Sequence, residues 1–247
     1  MQVGFIGAGN MARALARGWG GPVLCTDAGS GRAAALAAEL GGEAIASNRA
    51  LAERADVVVL AHKPAQLASV AEEVGDAARV VVSLLAATPL AAVRAAYPTA
   101  TVFRVEPNTP VEVRRGVCAF ADGPASDLRA DVQALFARVG TVVDVPEALM
   151  GVAGACAGVG PAYWALFVEA WVDAAVRRGL PSPIATRLVT DTMAGSAALL
   201  AERGGDTLAL RRAVTSPAGT TARGLAALER GGVRAALADA LDQVVGG

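Results

Sequence analysis

The sequence is poor in the residues from which several function classes are built. It holds one histidine and three cysteines in 247 residues. Cys25, Cys118 and Cys156 are far apart, odd in number and without metal-ligand spacing, so neither a disulfide framework nor a zinc site is indicated; a reducing cytoplasm is the expected location. An excess of charge is lacking too. The 22 basic side chains stand against 23 acidic ones, and Lys and Arg are scattered, which argues against nucleic acid as a partner. The N-terminal "MQVGFIGAGN" lacks the basic start and apolar run of a secretory signal. No nucleophile elbow, HExxH pair or spaced acidic cluster occurs, so hydrolase and metalloenzyme readings have no motif and no metal site is expected. Long unbroken apolar runs are also missing. Residues 148–168 carry no charge, but Gly151, Gly154, Gly158, Gly160 and Pro161 interrupt them and Glu169 and Asp173 follow, so buried soluble core is expected there rather than a membrane span.

What the chain does contain is a change of pattern halfway along. The first half alternates short β-branched runs ("VGFI", "PVLC", "DVVVL", "RVVVSLL", "TVFRV", "TVVDV") with Ala-rich helical stretches. Strands apolar at nearly every position predict a parallel, doubly wound sheet with helices on both faces, an α/β fold of Rossmann type. After Pro146 the strand signal stops, which predicts a dinucleotide-binding domain over 1–146 and an all-α domain over 147–247. In the second domain Pro161 suits a first helical position, Gly179 a stop, and Ser182-Pro183 a restart of a helix reaching about Ala201. Tyr163, Leu166, Phe167, Ala170, Trp171 and Ala174 fall on one helical face, a core or subunit-interface stripe rather than a cofactor-stacking one. Two helices this apolar predict a homodimer or higher homo-oligomer joined through the helical domain.

Directly after the first strand comes "GAGNMA". Gly7 suits the tight turn, Gly9 the close approach of a pyrophosphate and Ala12 the helix–strand contact, so Gly7, Ala8, Gly9, Asn10 and Met11 are candidate cofactor contacts at a helix N-terminus. Asp27 lies where an acid would hold a ribose 2′-OH, while Ser30 and Arg32 suit a 2′-phosphate; residue types alone leave NADPH and NADH both open. "VVLAHKPAQL" ends a buried strand with His62, Lys63 and Pro64. Lys63 emerges at the ligand-binding end of the sheet and is a candidate cofactor contact, whereas His62 reads as an exposed loop residue without assigned chemistry. Later, "RAVTSPAGTTARGL" places Ser216, Pro217, Gly219, Thr220 and Thr221 between two helical stretches, as a polar loop with a helix cap.

Taken in order, "GFIGAGNMA", "VVLAHKP", "FRVEPNTP", "AGVGPAYWALFVEAWVDAAVRRGL" and "VTSPAGTTARGLAALERGGVRAAL" resemble the pyrroline-5-carboxylate reductase family over nearly the whole chain. The resemblance implies a Rossmann domain, a helical domain interlocking with another subunit, and hydride transfer from NADPH, or NADH, to the C=N bond of a cyclic imino acid in the last step of proline biosynthesis. It implies cofactor contacts from Gly7 to Met11, Asn48, Lys63 and Pro64. It further implies that Ser216, Gly219, Thr220 and Thr221 hold the substrate, with backbone N–H groups on its carboxylate and the Thr221 hydroxyl near the ring nitrogen as the catalytic group. Five residues depart from the pattern: Ala218 and Ala87 replace usual glycines, Ala157 and Val159 replace two hydroxyls, and Glu106 replaces a methionine. Two other readings follow from them, a reductase for another cyclic imine and a weakly active nucleotide-binding paralogue with a regulatory role.

Overall fold

The computed structural model describes residues 1–123 and 125–246, so Gly247, the end of the predicted helical domain, lies outside the described residues. The chain divides into two compact units, Met1–Pro161 and Ala162–Gly247.

The first unit runs β1 (Val3–Ile6), α1 (Asn10–Trp19), β2 (Leu24–Thr26), α2 (Arg32–Leu40), β3 (Glu43–Ala44), α3 (Asn48–Arg54), β4 (Val57–Leu60), α4 (Leu67–Val74), β5 (Val80–Ser83), α5 (Leu90–Ala96), β6 (Thr101–Pro107), β7 (Gly116–Ala121), α6 (Asp127–Ala137), β8 (Gly140–Val145) and α7 (Met150–Ala157). The strands form one sheet in the order β3-β2-β1-β4-β5-β6-β7-β8. Its first six members have the doubly wound dinucleotide-binding order, with the reversal of direction between β1 and β4. The unbroken apolar runs are explained by burial on both faces. In β4, Val57 and Val59 pack with Phe5, Leu15 and Trp19 on one side, while Val58 and Leu60 pack with Leu51, Val81 and Tyr97 on the other.

One expectation about the sheet needs correction. The sheet is mixed, because β7 pairs antiparallel to β6 through Val105–Phe120, Glu106–Ala119 and Pro107–Cys118. Only residues 108–115 lie between these strands, with a 3₁₀ turn at Thr109–Val113. A parallel return needs a crossover of a dozen or more residues, so the short connection forces the reversal. The compact units meet after Pro161, while the change of composition lies at Pro146. The intervening α7 is helical, as its composition predicts, but seats Met150 fully buried in the core of the sheet unit.

The second unit contains α8 (Gly160–Val176, starting two residues before the boundary), α9 (Ser182–Glu202), α10 (Thr207–Ala213), α11 (Thr220–Arg230) and α12 (Val233–Val245). Gly179, at φ +94°, turns the chain after α8 as its sequence position predicts. The expectation of buried core over residues 148–168 does not hold within one chain. Glu147–Val176 is apolar enough over 30 residues to cross a membrane by length and composition, and only 6% of its most apolar stretch is buried. α7 and α8 are separated by a turn and bend at Gly158 and Val159. The predicted stripe is only partly covered: Leu166 and Trp171 are each more than half exposed, and Tyr163, Phe167 and Ala174 are half-buried. The buried apolar cluster of this unit is small, Val172, Ala185 and Val189.

Candidate active site

A cleft of about 630 Å³ opens at the carboxyl ends of β1, β2 and β4. Gly7, Ala8, Gly9, Asn10, Met11, Ser30, Arg32, Asn48 and Lys63 all line it, so the sequence-predicted cofactor residues converge with the exception of Pro64. Pro64 instead opens the 3₁₀ turn Pro64–Gln66, where its fixed φ directs the chain away from β4.

The cleft is built for a pyrophosphate. Gly7 sits at φ +100°, and a Cβ there would lie 2.7 Å from the Ala61 carbonyl and 2.8 Å from the His62 nitrogen. Only glycine permits this turn beside β4. A Cβ at Gly9 would meet nothing within 4 Å, so the space above the turn is open. Gly9 is the N-cap of α1 and supplies no side-chain hydrogen bond. The first N–H groups of α1 are left for an anion, and the helix dipole favours one there. A dinucleotide phosphate therefore fits the residues present.

Asp27, just after β2, is held within its own loop. Its Oδ1 accepts from the Gly29 N–H (2.8 Å), and its Oδ2 accepts from the Ser30 hydroxyl (2.9 Å) and the Ala33 N–H (2.8 Å). The Ala33 N–H, with the other donors, holds the Asp27 carboxyl below the usual range. Two consequences separate the predicted pair. Ser30 spends its single hydroxyl proton on Asp27 and has none to give a phosphate. Arg32, exposed at the first position of α2, lines the cleft with a guanidinium that has only donors.

His62 is not the exposed loop residue expected from sequence. It lines the cleft and is half-buried. Its Nδ1 lies 2.9 Å from the Lys63 carbonyl oxygen. A carbonyl only accepts, so Nδ1 carries the proton of the neutral ring. Nε2 is buried without a partner among the described residues, and burial pushes the imidazole below its ordinary pKa.

The predicted substrate residues come together in the second unit at the start of α11. The Gly219 N–H bonds back to the Ser216 carbonyl at 3.0 Å, closing a turn with Pro217 second and Ala218 third. Ala218 lies at φ +57°. This is the pattern of a type II turn, whose third residue favours glycine. A Cβ at Gly219 would crowd the Ser216 hydroxyl, which would have to turn away to admit it. The cap of α11 is Gly219 rather than a hydroxyl, and it makes no side-chain cap bond. Thr220 and Thr221 open α11 without using their hydroxyls to cap it. As at α1, the first N–H groups are left for an external acceptor.

The remaining departures are structural. Ala87 lies at φ +52°, third in a turn closed by the Thr88 N–H on the Leu85 carbonyl. Glu106 does not line the cleft; Arg104, itself buried, donates to it, and its other oxygen presses on Gly154 of α7. Arg104 also donates to Glu147 at 2.9 Å. Asn108 donates to the Ala157 carbonyl at 3.1 Å, so the chain near one lost hydroxyl is anchored through its backbone. Nothing in the structure explains Val159. Sequence reasoning also passed over Thr26, Ser47, Gln66, Ser69 and Glu73, which line the cleft and read in sequence as ordinary surface residues.

Comparison with known proteins agrees with this geometry. Residues 147–246 match the family model described as pyrroline-5-carboxylate reductase dimerisation, and residues 2–87 match one described as NADP oxidoreductase, coenzyme F420-dependent. Pyrroline-5-carboxylate reductase 3 of Mus musculus is 34% identical over 98% of this chain and 92% of its own length. A pyrroline-5-carboxylate reductase structure from Coxiella burnetii superposes with TM-score 0.88 at 31% identity, covering 99% of this chain and 96% of that one. The Plasmodium falciparum pyrroline carboxylate reductase, solved with NADP bound, gives 0.84 at 25% identity, covering 99% and 95%. With a dinucleotide cleft in one unit, the "SPAGTT" turn in the other and similarity along almost the entire length, this chain belongs to the pyrroline-5-carboxylate reductase family.

Proposed function

We propose that this chain reduces 1-pyrroline-5-carboxylate to L-proline with NADPH as the preferred donor, closing proline biosynthesis. The observation that carries this reading is the pair of uncapped helix starts, α1 behind Gly7 and α11 behind "SPAGTT", each suited to an anion of a different ligand. Bound NADPH supplies a hydride to the imine carbon; the C=N π pair moves to nitrogen, which takes up a proton. The protein's part is orientation and proton management. Gly7 to Met11 and the start of α1 hold the pyrophosphate, Arg32 the 2′-phosphate, and Asn48 and Lys63 other oxygens of the dinucleotide. Pro64 acts by fixing the backbone after Lys63. The N–H groups following Ser216 and Gly219, at Thr220 and Thr221, hold the substrate carboxylate. The Thr221 hydroxyl serves the ring nitrogen as hydrogen-bond partner and proton relay.

The same proposal includes a homodimer or larger assembly formed through the uncovered faces of α8 and α9, and a cytoplasmic location, consistent with three unpaired thiols. Purified protein given 1-pyrroline-5-carboxylate should oxidise NADPH faster than NADH. Folded protein that oxidises neither would refute the activity. Thr221→Ala should lower kcat at least about 10²-fold while leaving the Kd for NADPH within about two-fold, following the usual size of acid–base contributions. Equal losses in both would leave Thr221 only a place in the helix start.

A further inference from the structure

The cofactor cleft contains an acid that a polyanionic ligand does not call for. Glu73, on α4, lines the cleft with Gly7, Arg32 and Lys63. A carboxylate facing phosphates is repulsive unless it is otherwise engaged. Glu73 is engaged at both oxygens by a single residue: Oε1 accepts the Asn48 backbone N–H at 2.8 Å, and Oε2 accepts the Asn48 side-chain amide at 2.7 Å.

This fixes more than one bond. Carboxylate oxygens only accept, so Asn48 must turn its NH₂ toward Glu73 and its Oδ1 the other way. Oδ1 meets the Thr26 hydroxyl at 2.6 Å, and since Oδ1 only accepts, Thr26 donates. Thr26 is buried at the end of β2, and its carbonyl receives the Gly7 N–H at 3.1 Å. Glu73 thus sets the direction of a chain running from Thr26 through Asn48. The second N–H of the Asn48 amide is left over, a donor in a cleft whose ligand is rich in acceptor oxygens.

Resting on the reading that this cleft takes NADPH, we propose that Glu73 is a positioning residue, which acts through Asn48 by holding its amide so that an N–H, rather than the carbonyl, meets an oxygen of the dinucleotide. The decisive experiment is a double-mutant cycle on the full chain, with NADPH affinity read by equilibrium fluorescence titration and rates read separately. Glu73→Ala and Asn48→Ala should each weaken NADPH binding about ten-fold, the scale of a hydrogen bond to a charged group. The double variant should also sit near ten-fold, because both changes remove the same donor. In Glu73→Ala the KM for NADPH should rise by a larger factor than kcat falls. Glu73→Gln keeps one acceptor but faces a donor with its own NH₂, so it should fall between wild type and Glu73→Ala; it carries the same comparison should Glu73→Ala not fold. Tighter binding in Glu73→Ala would make the acid merely repulsive and overturn the proposal, as would an unchanged Kd or a double variant near about a hundred-fold by simple addition. A wild-type chain that binds no NADPH overturns the cofactor reading together with this one, whereas normal wild-type binding with indifferent variants overturns this one alone.

Discussion

Ala218 and Ala87 each carry a methyl group into the left-handed region, at φ +57° and +52°. The left-handed conformation costs a non-glycine residue about 1–2 kcal/mol, partly offset because glycine has more freedom to lose on folding. Ala218→Gly should therefore stabilise the protein by about 0.5–1 kcal/mol, read by denaturant unfolding, and should lower the KM for the imino acid by relaxing the turn that presents the α11 amides. A loss of stability would mean that the turn is not under strain. In sequence, the replacement of a glycine is visible at both positions; the positive φ that gives it a cost is not, since it depends on turns closed by Gly219 and Thr88. His62 makes a second test at this scale. Burial holds its folded pKa below the ordinary value of about 6.5. Its contribution to stability is therefore complete above 6.5 and declines as the pH falls through that value, because the unfolded chain takes up a proton that the folded one resists. As the sequence has one histidine, a single imidazole titration below 6.5 should be seen by NMR, and a midpoint at or above 6.5 would contradict the burial.

Among the elements, the loop from β2 to α2 carries the residues proposed to set cofactor preference. With Asp27 turned inward onto Gly29, Ser30 and Ala33, Arg32 is the group left for a 2′-phosphate. Arg32→Ala should raise the KM for NADPH about 10–100-fold and leave that for NADH nearly unchanged, the scale of lost charge-assisted hydrogen bonds. Equal effects on both cofactors would place Arg32 elsewhere. Residue types could not settle this question, because Asp27, Ser30 and Arg32 support opposite answers until their hydrogen bonds are known. The strands show the same division. Buried runs such as "VVVL" announce themselves by composition, whereas the two residues of β3 are too few to stand out, and the reversal at β7 follows from the length of a connection rather than from any residue in it. Glu73 carries no signal along the sequence because its partner lies 25 residues away.

For the molecule as a whole, the second unit has far more apolar surface than its own small cluster of Val172, Ala185 and Val189 can cover. If a second copy covers it, folding and assembly are one equilibrium, and the melting temperature should rise with protein concentration. Trp171→Asp should abolish that dependence and leave smaller particles by light scattering; a melting temperature independent of concentration in the wild type would speak against assembly through α8. The two-part organisation is legible in the sequence because a sheet and a helical unit use different apolar periods. The place where the packing divides is not, because α7 has the composition of one half and the contacts of the other.

Lys63, described above as a lining residue of the cofactor cleft, is also the only lysine of the sequence. The side-chain amine chemistry of the protein is thereby concentrated at one address. Apart from the N-terminal amine, an acylating or reductively methylating reagent is a reagent for the cofactor site, and a saturating dinucleotide should shield the protein from it. Immobilisation or labelling through lysine would therefore compete with NADPH, and the arginines elsewhere on the surface, which do not react in this way, would offer no alternative point of attachment.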